Sequence, residues 1–218
     1  MKNSFYKFII VFLIILIIFI LFNKSDNTKI NLSKDLASSI NINLKKDLDD
    51  LKDMNNIKID NYNIVLTTTI NRLKPSWFNY IVINKGLDSN IKEGYGVIDK
   101  NGLIGVITKV FKNKSIVTLL TNKKVSAKVI IDNKEYYGEI NNYNLKTNEF
   151  FMSDVIGDFK INNDKVITSS YNEYIPSGII IGTVSDIKKD KFNLTNELII
   201  KPSSNFNDIK YVGVIIPD

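Results

Sequence analysis

The chain has 218 residues, no cysteine, no histidine and a formal net charge of +6. Lacking both residue types, it has no disulfide, thiol nucleophile, Cys/His zinc site or Ser-His-Asp relay, so its stability has to come from core burial. The positive excess is spread, with nine Lys against seven Asp over residues 1–61 and 20 basic against 16 acidic residues beyond; a nucleic-acid footprint needs clustering, so this charge reads as solvated surface and no nucleic-acid partner is expected.

From Phe8 to Phe22 every residue is apolar, and Phe5 and Tyr6 extend the stretch across Lys7. That length meets the requirement for a spanning helix, and its insertion is favourable by about 5 to 8 kcal/mol on a residue scale. The following Asn23, Lys24, Ser25 and Asp26 carry no small-residue cleavage pattern, so the run reads as a retained anchor rather than a signal peptide. The expectation for residues 1–29 is a cytoplasmic tail, a membrane anchor with the lipid bilayer as partner, and a polar bridge. The protein would be single-pass in the cytoplasmic (inner) membrane, with its N-terminus cytoplasmic and its remaining domains periplasmic or extracellular.

Next, Leu36, Ile40, Leu44, Leu48, Leu51 and Met54 recur at steps of three and four, among Lys45, Lys46, Asp47, Asp49, Asp50, Lys52 and Asp53. This is one apolar stripe of a helix over residues 30–59. One reading is a short parallel coiled coil that makes a homodimer through Leu36, Ile40, Leu44, Leu48 and Leu51; the other is a stripe packed on the chain's own following domain.

Beyond Asp60 the pattern changes to short strands punctuated by Gly, Asn and Asp. Twelve are predicted, near 64–70, 80–83, 96–98, 103–110, 115–120, 127–131, 136–140, 150–154, 165–169, 179–186, 198–201 and 211–216. With no helical run between them they predict an all-β region over residues 60–218, built as two small β-barrel-like domains. The sequence does not place their boundary, since one barrel can draw on discontinuous segments.

Several short motifs recur in a telling order: Lys74-Pro75-Ser76-Trp77-Phe78, Ile83-Asn84-Lys85-Gly86, Ile91-Lys92-Glu93-Gly94, and Gly102-Leu103-Ile104-Gly105-Val106-Ile107. Ser115 to Asn122, Val166 to Ser169, Pro176-Ser177-Gly178 running through Gly182 to Val184, and Lys201-Pro202 follow. In order and spacing, from about Ile64 to Pro217, this series resembles the rod shape-determining MreC family, with the anchor and helix in matching places. Gly86, Gly94, Gly102 and Gly105 suit tight turns or close strand approach, while Pro176 and Gly178 fit a turn feeding the strand that carries Gly182. Trp77 and Phe78 either cover a barrel end or form part of a partner surface. The chain departs from the family pattern at Val106, where a basic residue is common, and at Asn163 and Ser170, where glycine is common, and its helix is short.

The resemblance implies a non-catalytic scaffold of the cell-elongation machinery, without cofactor or metal, that organises and activates peptidoglycan synthases. Its implied partners are a penicillin-binding transpeptidase, MreD and the MreB system across the membrane. The residues agree on the lack of chemistry. Ser185-x-x-Lys188 falls at a charged strand end, and Gly94-Tyr95-Gly96 lacks the third glycine and following helix of a nucleotide loop. The alternative is a periplasmic adaptor of an efflux or secretion assembly, although adaptors place β sequence on both sides of a helical hairpin and this chain has one helix ahead of all its strands.

Overall fold

The computed structural model describes residues 2–72, 77–132, 134, 136–155, 160, 162–189 and 195–218, with side chains described at all of these except 2–11, 18–33, 35, 141 and 154. One helix, α1, runs Lys2–Asn55, and twelve strands follow. The contacts divide the chain into two compact units, Met1–Asp49 and Asp50–Asp218.

Two predictions for the N-terminal region are corrected. Among the described residues no helix is long and apolar enough to cross a membrane, which overturns the single-pass topology and the localisation that depended on it. Of the apolar run Phe8 to Phe22, described side chains cover Phe12 to Ile17, a length of about 9 Å of helix against a hydrocarbon core of about 30 Å; the rest of the run lies outside them. The coiled coil is also absent: α1 is a single helix, and among the described residues no second helix packs along its stripe. Ser38, Ser39 and Asn41 interrupt the stripe early, and its last member, Met54, is only 2% exposed because it packs within the Asp50–Asp218 unit over Gly213. Lys100 donates to Asp50 at 2.8 Å at the same place.

The strands are β1 Tyr62–Asn71, β2 Tyr80–Ile83, β3 Gly96–Asp99, β4 Gly102–Val110, β5 Ser115–Leu119 and β6 Ala127–Ile131, then β7 Tyr137–Asn144, β8 Glu149–Val155, β9 Lys165–Thr168, β10 Ile180–Lys189, β11 Asn196–Pro202 and β12 Tyr211–Pro217. They close into two six-stranded antiparallel barrels, β1-β12-β3-β4-β5-β2 and β10-β11-β8-β7-β6-β9. Closure removes every free sheet edge. Barrel two is inserted between β5 and β12 of barrel one, so barrel one is assembled from discontinuous segments.

Period-two alternation explains the closure. On β6, Ala127, Val129 and Ile131 point inward while exposed Lys128 and half-buried Ile130 point outward. Ile81, Ile83, Val97, Ile104, Val117 and Leu119 of barrel one are fully buried, as are Val129, Ile140, Phe150, Met152, Leu198 and Ile200 of barrel two, and all join one continuous core. Each contributes about 1.5 to 3 kcal/mol relative to exposure, which makes this burial the stabilising substitute for absent disulfides.

The barrels meet at the β3–β4 turn. Asp99 Oδ1 accepts from the N–H groups of Asn101 and Gly102 at 2.8 and 3.0 Å and from Ser204 Oγ at 2.7 Å. Burial pushes the Asp99 carboxyl up from its ordinary range, and these hydrogen bonds only partly offset that. Gly102 has φ +150°, and a Cβ there would sit 2.0 Å from the Ile180 carbonyl oxygen of barrel two. Gly102→Ala is therefore expected to lower stability by about 2 to 4 kcal/mol in urea denaturation, since backbone rather than a flexible side chain must move. Gly178→Ala is the control: φ is +88° but nothing lies within 4 Å, so only the conformational cost of about 1 to 2 kcal/mol is expected.

Candidate partner-binding scaffold

The segment Ser203–Lys210 carries the chain from β11 of barrel two back to β12 of barrel one, and a single arginine secures it. Arg72, at the end of β1, donates through Nη1 to the Asn207 carbonyl at 3.1 Å and through Nη2 to those of Trp77 and Phe206 at 2.8 and 2.6 Å. Its guanidinium also lies over the Trp77 ring, 4.4 Å from the centroid. Burial pulls the Arg72 pKa down while nearby Asp208 raises it. A planar fork serves several fixed carbonyls and an aromatic face together, which a lysine ammonium does not reproduce. Among 29 basic residues only Arg72 is arginine, and that contrast was the available signal in the sequence for a site the motif reading passed over.

On the far side of the same segment, the Phe206 ring sits 5.9 Å from Tyr143 and 5.6 Å from Phe150 of barrel two, and those two rings are 4.9 Å apart. Such pairs add about 0.5 to 1.5 kcal/mol each beyond area burial. The return segment is therefore gripped from both barrels.

The predicted positions divide between this framework and the surface. Trp77 is half-buried under Arg72, and Phe78 packs against the core while its carbonyl accepts a short hydrogen bond from Thr121 Oγ1. Lys74, Pro75 and Ser76 of the same motif lie outside the described residues. A Cβ at Gly86, Gly105 or Gly182 would fall 2.1 to 2.3 Å from a facing carbonyl oxygen, so these glycines sit at close strand or loop approaches. Gly94, with φ +90°, lies beneath the Tyr174 ring. The buried Pro176 accepts from Thr168 Oγ1 at 2.6 Å, and Pro202 pairs with Gly182 across β10 and β11. Leu36, Ile40, Leu44, Leu48 and Leu51 are exposed along α1. Asn163, where a glycine was expected, takes φ +52°, as Asn61, Asn90 and Asn148 take similar angles; asparagine tolerates this left-handed region.

No catalytic dyad forms from the S-x-x-K match. Ser185 sits at a bulge in β10 and donates to the Ile199 carbonyl at 3.1 Å, while Lys188 pairs in register with Glu197. Among the described residues no three His, Cys, Asp or Glu side chains gather as a metal site.

The family model described as rod shape-determining protein MreC, barrel core, matches residues 69–216. The chain belongs to the MreC family. The cell shape-determining protein MreC of Listeria monocytogenes is 33% identical over 180 residues, covering 79% of this chain and 60% of that protein. That of Bacillus subtilis is 30% identical over 171 residues, covering 73% and 59%. The chain thus spans about three-fifths of these relatives' length. The solved MreC of L. monocytogenes superposes with a TM-score of 0.69 at 28% identity, covering 84% of this chain and 91% of that one. A solved complex between the penicillin-binding protein PBP2 and MreC from Helicobacter pylori matches with a TM-score of 0.57 at 20% identity, covering 72% and 99%, a likeness of fold. The family match replaces the adaptor alternative.

Arg72→Lys is expected to lower stability by about 2 to 3 kcal/mol through carbonyls left without donors. Because Trp77 is the chain's single tryptophan, its fluorescence should shift red in the folded variant as the ring loses its cover. An unchanged spectrum and midpoint would contradict the clamp.

Proposed function

We propose that this protein is a scaffold of the cell-elongation machinery that maintains cell shape by holding and activating peptidoglycan synthases. The observation that carries this reading is the match of the MreC barrel-core model to residues 69–216, which spans nearly all of the two-barrel body. The physical form is suited to the role. Closed barrels offer no strand edge for a partner to extend, so recognition has to run through side-chain surfaces whose relative positions are fixed by the junction and the return segment. A rigid body of this kind activates a synthase by binding one of its conformations more tightly than another.

The proposed partners are a penicillin-binding transpeptidase, in line with the H. pylori MreC complex with PBP2, together with MreD and the MreB system. Trp77 and Phe78 are proposed to act through the barrel-end framework they stabilise. Depleting the protein in its source is expected to widen and round the cells, and the tagged full chain should retain a penicillin-labelled transpeptidase. Cells of unchanged width after complete depletion would contradict the reading.

A further inference from the structure

We infer that the end of barrel one formed by the β2–β3 and β4–β5 loops is a contact surface for anionic lipid headgroups. Two apolar side chains stand out there: Leu87 is 59% exposed and Phe111 is 36% exposed. Their loops are locked together by backbone. The Leu87 and Asp88 N–H groups donate to the carbonyls of Phe111 and Lys112 at 2.9 and 3.0 Å, and Gly86 approaches so closely that a Cβ would lie 2.1 Å from the Phe111 carbonyl oxygen. The apolar tip is therefore presented by a fixed pair of turns.

Lysines surround it. Lys85, Lys109, Lys112 and Lys114 are all exposed, with Asp88 set against them. The Nζ atoms of Lys109 and Lys114 each lie over the Phe111 ring, 5.3 Å from its centroid, so two cationic heads accompany the apolar ring. This combination distinguishes among anionic partners. A stable protein interface needs about 800 Å² per side and favours Arg over Lys, whereas two apolar side chains within a lysine ring are a small footprint. A peptide that adds as a strand needs an open sheet edge, and acidic-motif recognition is built on Arg clusters, whereas the barrel is closed here and the cations at this tip are lysines. Shallow insertion of Leu and Phe with lysines at headgroup level satisfies both halves of the surface. The contact is peripheral, uses no spanning helix and stands independently of the proposed scaffold role.

The absence of native cysteine makes a direct test simple. An environment-sensitive dye on Asn113→Cys in the full chain reports the tip, and the same dye on Leu145→Cys, at a 56% exposed position on the β7–β8 turn of barrel two, reports the rest of the body. With vesicles of phosphatidylglycerol and phosphatidylcholine the tip dye should shift blue while the dye at position 145 stays unchanged. Lys109→Gln and Lys85→Gln should each weaken the response about fivefold, salt should weaken it further, and Leu87→Ser should reduce the blue shift. Each variant's circular dichroism separates loss of contact from loss of fold. Equal shifts at both labels, an equal shift on phosphatidylcholine alone, indifference to both lysine changes, or displacement of the vesicles by polyglutamate would overturn the inference, the last in favour of an acidic peptide.

Discussion

After building an entire second barrel, the chain must bring β12 back into a slot between β1 and β3, and the accuracy of that return is the constraint on which the rest of the fold depends. Without β12, β1 keeps only β2 and β3 keeps only β4, and barrel one is open. The return segment is fixed at several points. Ser203 N–H and Oγ both donate to the Ile181 carbonyl at 3.0 Å, Ser204 Oγ donates to Asp99, and Arg72 holds the Phe206 and Asn207 carbonyls. The Phe206 ring plugs the other side. Polar groups of this segment find partners on both barrels, so its placement couples them.

This coupling is what the proposed scaffold role requires. Loop closure over some 90 residues costs only a few kcal/mol more than closure of a short loop, but the ordering entropy of the return has to be recovered by contacts from both sides. Clamping by Arg72, the Asp99 turn and the aromatic trio supplies them. Two closed barrels fixed in this way would offer the proposed partners surfaces of fixed relative position. Their motions as separate bodies would dissipate the binding free energy a scaffold transmits.

Much of the β region was legible. All twelve predicted strands exist, because β-branched alternation and Gly/Asn/Asp punctuation act locally. At Gly86, Gly105 and Gly182, which lie in the family motifs, a facing carbonyl occupies the space a side chain would need. What stayed hidden depends on distant contacts. Arg72 sits outside every motif except as the one arginine in a lysine-rich chain, and Asp99 looked like any turn residue until Ser204 came to it from 105 positions away. The helix was misread for a related reason. Its stripe has the right spacing for a seam, yet spacing does not name the surface that covers it, and Met54 is covered by barrel one. Asn163 shows the opposite case: a departure from the glycine pattern that costs little, because asparagine accepts the same backbone angle.

Native-state hydrogen exchange tests the claim of a coupled two-barrel body most directly. If the return segment joins the barrels as described, the slowest amides of β4 and β5 in barrel one and of β10 and β11 in barrel two should exchange through one opening of the same free energy. Arg72→Lys should lower both by the same amount. If barrel two kept its protection while barrel one opened at a free energy about 2 kcal/mol or more lower, the barrels would be separate units and the account would be contradicted.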